Sequence, residues 1–317
     1  MKAEPSRGLL SVPPVPASAP APAAPPASGW RIGVAAIRPR TLGLAVTPVL
    51  LGSAIAWADG APVQGLVLLA ALACALLIQI GTNLHNDVAD FKRGTDTGER
   101  IGPLRVTAAG WVQPRTMVRA SLACFAAALL LGVGRVHAGG WPILLAGVAS
   151  LAAGYGYSGG PRPISHSAWG EVFVLAFFGL VAVAGSHWLQ AGVPALDAWL
   201  GGAALGLPAA GVLLVNNYRD LEGDVAGGRR TLVARLGRAR SRLVFAALMT
   251  LPFVLAGVLA WRGRPGALLA FAVLPFAWKL VRRLGAQEPG PWLNGQLAAT
   301  AKASALFGLL LAAGVLW

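Results

Sequence analysis

Long apolar stretches of about 18 to 24 residues recur along almost the whole chain, and they constrain the possible folds more than any other feature. The stretches lie near residues 41–59, 64–86, 115–136, 139–157, 169–190, 196–217, 241–261, 265–281 and 295–316. Inside a lipid bilayer a segment must satisfy its own backbone polar groups, and an α-helix of this length does so. The sequence therefore predicts an all-α membrane protein with nine transmembrane helices, not a water-soluble globular protein.

The composition of these stretches predicts one compact domain. Glycine and alanine are abundant in them, and small residues let transmembrane helices approach each other closely. Residues 29–317 are therefore predicted to form a single bundle around a central cavity. Residues 1–28 are rich in Pro, Ala and Ser and lack the apolar core of a signal peptide, so we predict a disordered cytoplasmic tail there.

The cationic residues are distributed unequally across the predicted membrane. The chain carries 26 Lys and Arg against 12 Asp and Glu, a net charge of +14 that in a soluble protein would suggest nucleic-acid binding. All cations except Arg135, Arg262, Arg264 and Lys302 lie at or near the side that holds the N-terminus. The positive-inside rule then places the N-terminus in the cytoplasm and the C-terminus outside, in a multi-pass protein of the cell (inner) membrane. The lipid bilayer explains the charge, and no nucleic-acid partner is expected.

A cluster of acidic and amide side chains follows the second apolar stretch. Asn83, Asn86, Asp87 and Asp90 are separated by three, four and seven residues, so they share one face if the helix continues to its end. Gly and Pro residues then end the helix, and Asp96 lies in the segment that follows. Basic side chains from this region can fold back over the acidic face, namely Lys92, Arg93, Arg100 and Arg105.

A second cluster with the same layout follows the sixth apolar stretch. Asp220 and Asp224 are four residues apart and follow Asn216 and Asn217. Basic residues flank the two acids, namely Arg219, Arg229 and Arg230. Both clusters follow even-numbered stretches, so both face the cytoplasm, and a bundle that closes on itself brings them together across a cavity.

Oxygen ligands beside cations predict a particular kind of bound molecule. Carboxylate and amide oxygens bind hard divalent cations such as Mg²⁺, and Arg and Lys bind anions. Together they suit a diphosphate bridged by Mg²⁺, with cations that neutralise the diphosphate as it leaves. A solvated, charge-balanced surface is the alternative for either cluster alone. The repeated order of Asn, Asp, Gly and basic residues disfavours that alternative for the pair.

Four stretches of the sequence resemble the UbiA superfamily of intramembrane aromatic prenyltransferases, most closely the 1,4-dihydroxy-2-naphthoate polyprenyltransferases of menaquinone synthesis. They are Arg38-Pro-Arg-Thr-Leu, Asn83-Leu-His-Asn86-Asp87-Val-Ala-Asp90 with Asp96 and Arg105, Tyr157-Ser-Gly-Gly-Pro-Arg162-Pro, and Asn216-Asn217-Tyr-Arg219-Asp220 with Asp224. The resemblance covers about residues 30–317 and implies a nine-helix bundle of the UbiA type.

The resemblance also implies roles for individual residues. The implied Mg²⁺ ligands are Asn86, Asp87, Asp90, Asp96, Asp220 and Asp224, of which Asp87, Asp90, Asp220 and Asp224 are the implied catalytic residues. The predicted substrate-binding residues are Asn83, Lys92, Arg100, Arg105, Tyr157, Arg162, Asn217, Arg219, Arg229, Arg230 and Lys302. Asn217 stands where many relatives carry Asp, a departure shared with the naphthoate branch, which argues against 4-hydroxybenzoate as acceptor.

Three of these residues have an alternative interpretation. Lys302 is a cation about two turns into the last apolar stretch, a costly position unless it faces the cavity or extends to the membrane edge. Facing the cavity, it would pair with a carboxylate of the acceptor. Tyr157 and Arg162 lie by family analogy at the mouth of the pocket, or they serve only the local turn.

The reaction implied by the resemblance is a Mg²⁺-dependent polyprenyl transfer. A polyprenyl diphosphate ionises to an allylic cation and diphosphate, and the ring of 1,4-dihydroxy-2-naphthoate attacks that cation. The attacked carbon then loses CO₂, which gives demethylmenaquinone. Another aromatic or quinonoid acceptor is one alternative. An ion-coupled transporter is a second, disfavoured because the acids lie at the ends of the apolar stretches rather than in mid-membrane.

Overall fold

The computed structural model describes residues 28–94, 102, 105–133 and 136–317, and this part of the chain forms helices and no strand. The helices are α1 (Gly29–Ile37), α2 (Gly43–Ala58), α3 (Gly65–Arg93), α4 (Pro114–Val133), α5 (Val136–Ser158), α6 (Gly170–Val174), α7 (Ala182–Ala191), α8 (Leu196–Arg219), α9 (Leu221–Ala226), α10 (Leu232–Trp261), α11 (Leu274–Ala286) and α12 (Leu293–Gly314). A π-helical segment, Leu175–Val181, joins α6 to α7, and a 3₁₀ segment, Pro265–Val273, precedes α11. The predicted all-α fold class is confirmed, whereas the predicted tail lies outside the described residues except for Ser28.

Six helical segments of the described chain are long and apolar enough to cross a bilayer. They are α3, α4, the continuous segment from α6 to α7, α8, α10 and α12. Residues 29–41 and α2 meet at a bend of 50° and make a seventh if they count as one span. Two further predicted stretches are irregular, because α5 contains a non-helical Gly140 and residues 265–281 begin as a 3₁₀ helix. The chain is a multi-pass membrane protein, and the count of nine stays a prediction.

Glycine allows the closest helix approach in the bundle. A Cβ atom at Gly206 of α8 would lie 2.6 Å from the carbonyl oxygen of Leu175 in the π-helical segment. Gly179, on the facing segment, would overlap the backbone of α8 in the same way. The two backbones therefore touch only because neither position carries a side chain, as the abundance of small residues predicted.

The central helix is α8, which packs against α10, α12 and the π-helical segment. Its Leu214, Val215 and Tyr218 are fully buried and belong to one apolar core with Phe245 of α10. On its other side α8 borders a cavity that α2, α3, α4, α5 and α7 also line. The core thus fixes α8 as one wall of the candidate site.

A charged cluster connects four elements at the end of the bundle opposite the predicted acidic segments. Asp197 of α8 accepts hydrogen bonds from Arg262 Nε at 2.6 Å and from Arg264 Nε at 3.0 Å. Arg264 also pairs with Asp59, whose Oδ2 lies 3.0 Å from His187 Nε2. These five residues, which we call the outer cluster, tie α2, α7 and α8 to the loop after α10.

Candidate active site

Arg229 connects the two acidic segments directly. Its guanidinium group donates to Asp90 Oδ1 at 2.6 Å and to Asp224 Oδ1 at 3.2 Å. Asp90 belongs to the last turn of α3, whereas Asp224 belongs to α9, just after α8. Both carboxylates are buried. The structure thus brings together the two segments that the sequence predicted to face each other.

The first acidic segment turns one face of α3 towards the cavity. Asn83, Asn86, Asp87 and Asp90 all line the cavity, in agreement with their helical spacing. Asp87 is only 2% exposed, and its Oδ1 accepts the backbone N–H of Thr107 at 3.0 Å. The predicted face of oxygen atoms is therefore present and is held in place from outside the helix.

Cations surround the carboxylates of this segment. Arg105 pairs with Asp90, and its Nη1 donates to the carbonyl oxygen of Asn86 at 3.0 Å. Arg38 Nη2 lies 4.0 Å from Asp87 Oδ2. Among the described residues, Arg38 is also the one non-glycine residue with a positive φ, 54°. Such backbone strain is concentrated at functional sites, and here it places a guanidinium in the cavity wall.

Asn83 and Asn86 differ in what their side chains contact. The amide of Asn83 donates to the carbonyl oxygen of Ile37 at 2.9 Å, which holds the end of α1 against α3. The Oδ1 atom of Asn86 is buried and accepts no hydrogen bond from the described part of the chain. A buried oxygen without a partner is costly, so Asn86 offers an acceptor for a ligand whereas Asn83 mainly holds the wall together.

The second acidic segment is organised around Arg219. Its side chain donates twice to Asp220, at 2.7 Å each, and also to Asn216 Oδ1 at 2.9 Å and Asn294 Oδ1 at 3.0 Å. Arg219 and both asparagines line the cavity. Among the described residues, the two aspartates of this segment stand behind their arginine partners rather than in the cavity lining.

The cavity has a volume of about 880 Å³ and combines this polar end with an apolar arm. The arm runs along α3 from Asp90 back to Ala70, about 30 Å at the helical rise of 1.5 Å per residue. Small and apolar residues of the neighbouring helices line it, among them Leu144, Gly147, Leu151, Val181, Gly185 and Leu189. A charged head and a long apolar tail therefore find complementary surroundings in one space.

Residues 45–293 match the family model described as the UbiA prenyltransferase family. The chain belongs to this family. A Bacillus subtilis (strain 168) relative named 1,4-dihydroxy-2-naphthoate octaprenyltransferase is 33% identical over 281 residues, which are 88% of this chain and 90% of that protein. An Escherichia coli (strain K12) protein of the same name is 38% identical over 221 residues, 67% of this chain and 71% of that protein. The chain is therefore a prenyltransferase enzyme.

Solved structures support the UbiA fold. The structure of a UbiA homologue from Archaeoglobus fulgidus bound to GPP and Mg²⁺ aligns with a TM-score of 0.62 at 17% identity, over 90% of this chain and 99% of that chain. A UbiA homologue from Aeropyrum pernix K1 aligns with the same TM-score over 86% of this chain and 96% of that chain. At these identities the likeness concerns the fold.

The polar end of this UbiA cavity has the donor atoms that Mg²⁺ prefers. The described residues contain no group of three His, Cys, Asp or Glu side chains that could hold a metal ion by themselves. The cavity wall instead combines the open Oδ1 of Asn86 with the carboxylates of Asp87 and Asp90, an all-oxygen set that fits Mg²⁺. Asp96, the remaining predicted ligand of the first segment, lies outside the described residues.

The structure divides the predicted substrate-binding residues into three groups. Those that line the cavity are Asn83, Arg105, Tyr157, Asn217, Arg219 and Arg229. Those that are exposed and do not belong to the described cavity lining are Lys92, Arg162, Arg230 and Lys302. Arg100 lies outside the described residues.

The predicted substrate-binding role is wrong for the four exposed cations. Helix geometry gives the reason for Lys302 and Lys92. Lys302 is exposed while its neighbours Ala301 and Ala303 are buried, so α12 turns small residues inwards and the cation outwards. The alternative interpretation, a side chain that extends along the membrane, fits Lys302. Lys92 points away from the α3 face that carries Asp90, because two residues along a helix span about 200°. Arg162 and Arg230 lie in loops with exposed side chains.

Two further residues hold the site together: Arg93, which the sequence predicted to fold back over the acidic face, and Glu171, for which the sequence indicated no role in the site. Arg93 donates to the carbonyl oxygens of Ser158 at 2.5 Å and Gly160 at 3.0 Å, which fastens the loop after α5 to the end of α3. Glu171, buried near the start of α6, accepts a hydrogen bond from Asn217. An acid within an apolar stretch is itself a signal for function, and this signal could have identified Glu171.

His166, in the same loop region, adds no charge to the site. Burial, followed by the effects of the Arg229 and Arg93 guanidinium groups, lowers the pKa of His166 to about 4. Its carbonyl oxygen accepts the backbone N–H of Arg230 at 2.9 Å. At physiological pH the His166 side chain is therefore neutral, and the residue holds the loop through its backbone carbonyl oxygen.

Proposed function

We propose that this enzyme transfers a polyprenyl group from polyprenyl diphosphate to 1,4-dihydroxy-2-naphthoate with loss of CO₂, and that the reaction requires Mg²⁺. The observation that carries the proposal is the bridge from Asp90 through Arg229 to Asp224 at the polar end of a cavity whose remainder is apolar. The names of the relatives support 1,4-dihydroxy-2-naphthoate as the acceptor. Prenyl transfer to this acceptor is a step of menaquinone synthesis.

The protein's own residues bind and neutralise the diphosphate. Asn86, Asp87 and Asp90 line the cavity and would hold Mg²⁺, together with the sequence-predicted Asp96. Asp220 and Asp224, the sequence-predicted ligands of the second segment, would hold Arg219 and Arg229 in position. When bound, the ion neutralises the oxygens of the diphosphate and so makes it a better leaving group. Arg38, Arg105, Arg219 and Arg229 all line the cavity, and as fixed donors they compensate the charge that grows on the leaving diphosphate.

The apolar arm holds the polyprenyl chain and keeps water from the reactive carbon. Its lining residues offer few groups that bind water, so an allylic cation formed at the polar end meets the aromatic ring rather than a hydroxyl of solvent. Tyr157 and Asn217 line the same cavity and would contact the ring of the acceptor. Another aromatic or quinonoid acceptor would use the same geometry.

The proposed topology follows from the cations. Nine spans with the N-terminus and the site in the cytoplasm and the C-terminus outside the cell (inner) membrane agree with the positive-inside distribution. Arg262 and Arg264, two of the three exceptions on the outer side, are paired with acids of the outer cluster, whereas the third, Arg135, lies outside the described residues. The charge of Arg262 and Arg264 is therefore compensated locally.

Substitution of one acid in each segment tests the proposal. Asp87→Ala and Asp220→Ala are each expected to lower prenyl transfer by about 100-fold or more, because Asp87 is a proposed Mg²⁺ ligand and Asp220 holds Arg219, a donor to the diphosphate. The assay uses purified protein in lipid vesicles, polyprenyl diphosphate and a panel of aromatic acceptors, with Mg²⁺ or with EDTA. Glu288→Ala, on an exposed loop, is the matched control.

The acceptor panel also tests the identity of the acceptor separately from the Mg²⁺-dependent mechanism. Wild-type transfer to 1,4-dihydroxy-2-naphthoate with release of CO₂ supports the proposal. Transfer only to other rings would show that the acceptor is a different aromatic compound. Full activity of either aspartate variant, or undiminished activity in EDTA, would refute the mechanism that uses both segments.

A further inference from the structure

The side chain of Asn217 has a defined orientation. Its Nδ2 donates a hydrogen bond to Glu171 Oε1 at 3.0 Å, and both residues are buried, at 7% and 4% exposure. In this contact the amide is the donor and the carboxyl oxygen is the acceptor, so the amide turns its NH₂ group, not its oxygen, towards Glu171. The carbonyl oxygen of Asn217 is left on the other side of the amide.

The two residues occupy different layers of the wall. Asn217 lines the cavity, whereas Glu171 is absent from the cavity lining within the described chain. The hydrogen bond to Glu171 is the one bond that the Asn217 side chain makes in the part of the chain that the structure describes. Glu171 therefore acts on the cavity through Asn217, and the Oδ1 atom of Asn217 stays available to a ligand.

An available carbonyl oxygen selects for a particular group on the ligand. It accepts a hydrogen bond from a hydroxyl group and repels the oxygens of a diphosphate, which need donors such as those of Arg219 and Arg229. If the amide turned over, its NH₂ group would face the cavity and the preference would be reversed. The orientation set by Glu171 therefore suits a hydroxyl-bearing aromatic acceptor.

This inference rests on the proposed function and extends it to acceptor recognition. We propose that Glu171 is a positioning residue that fixes the amide of Asn217 with its carbonyl oxygen towards the cavity. There the oxygen accepts a hydrogen bond from a ring hydroxyl of the acceptor. Glu171 touches neither substrate, so its effect appears in acceptor binding and not in donor binding.

Glu171→Gln tests the proposal, because a glutamine can present either an oxygen or an NH₂ group to Asn217 and no longer fixes its orientation. In E171Q the KM for 1,4-dihydroxy-2-naphthoate is expected to rise about tenfold, the equivalent of one hydrogen bond, while the KM for polyprenyl diphosphate is unchanged. Both constants are measured with purified protein in vesicles. Glu288→Gln, the same change on an exposed loop, is the matched control.

Exchange of the two groups gives an independent test. Asn217→Asp places two carboxylates against each other and is expected to weaken acceptor use at least as much as E171Q. In the double variant E171Q/N217D the hydrogen bond is reversed: the new amide at position 171 donates to the new carboxylate at position 217, whose other oxygen faces the cavity as an acceptor. Its KM for the acceptor is expected to return towards the wild-type value, a rescue that a merely structural role does not predict.

The outcomes separate this inference from the proposed function. Wild-type protein that does not use 1,4-dihydroxy-2-naphthoate overturns the proposed function. Two results overturn the positioning role alone, given normal wild-type turnover. One is an unchanged KM for the acceptor in E171Q, and the other is a KM for the acceptor in the double variant that is no lower than in N217D. If neither variant with the Glu171→Gln change accumulates as folded protein, Glu171 is needed for folding and the positioning role is rejected.

Discussion

Arg229 is a half-buried guanidinium group between carboxylates from two distant parts of the chain. It holds Asp90 of α3 and Asp224 of α9 at hydrogen-bond distance. The planar guanidinium has five donors, so it can bond both carboxylates and still offer an N–H group to an anion. Without it, two buried carboxylates would lose their shared cation.

Arg229→Ala is expected to lower kcat for prenyl transfer by about 100-fold, the usual effect of losing one preorganised donor to a developing negative charge. Arg229→Lys is expected to recover only part of this loss, because an ammonium group does not reproduce the planar fork. Steady-state kinetics with polyprenyl diphosphate measure both variants. Arg240→Ala, an exposed arginine of α10, serves as control, and wild-type kcat in R229A would contradict the assigned role.

At the scale of elements, α3, α5 and α7 form the walls of the apolar arm, and glycine keeps the arm open. Gly185 of α7 lines the cavity, and a Cβ atom built there meets no atom within 4 Å. It lies 14 residues beyond Glu171 along nearly continuous helix, or about 21 Å from the polar end. A larger side chain at this position would therefore fill the far part of the arm.

Gly185→Leu is expected to discriminate between donors by length. Transfer from a long polyprenyl diphosphate should fall by about tenfold, the effect of forcing an extra side chain into occupied space, whereas transfer from geranyl diphosphate should be little changed. The ratio of kcat/KM for the two donors is the measurement. Gly257→Leu, at a glycine of α10 with open space and outside the described cavity lining, is the control. An unchanged ratio would show that the polyprenyl chain does not lie in the far part of the arm.

At the scale of the whole molecule, the outer cluster closes the bundle at the end opposite the site. Asp197 is 7% exposed and receives two arginines from one loop, and Asp59 links the same loop to α2. Removal of one partner from such a group leaves charges without compensation, which costs more than the pair itself contributes. The outer cluster therefore stabilises the fold and takes no part in the reaction.

Asp197→Asn keeps the shape of the side chain and removes its charge. We expect a loss of about 1–3 kcal/mol, seen as a Tm several degrees lower in detergent, because Arg262 and Arg264 lose their common carboxylate. At low temperature kcat should match wild type, since the cluster lies at the far end of the bundle. An unchanged Tm, or a kcat loss without a change in Tm, would contradict this assignment. Glu288→Gln is again the matched control.

The candidate site was predictable where local periodicity carried the information. The helical spacing of Asn83, Asn86, Asp87 and Asp90 predicted their common face, and the repeat of that pattern at Asp220 predicted a second segment. Lys302 was not predictable in this way. A cation in an apolar stretch has two low-energy orientations, and only the packing of α12 selects one of them.

The sequence by itself determined the membrane class, the all-helical fold class and the oxygen face of α3, because each of these follows from polarity and helix periodicity within about 30 residues. Only the tertiary structure decided which arginine joins the acidic segments, that Glu171 lies behind Asn217, and that glycines open the apolar arm. Those features join residues far apart in the chain. They depend on how whole helices pack, and no local pattern contains that information.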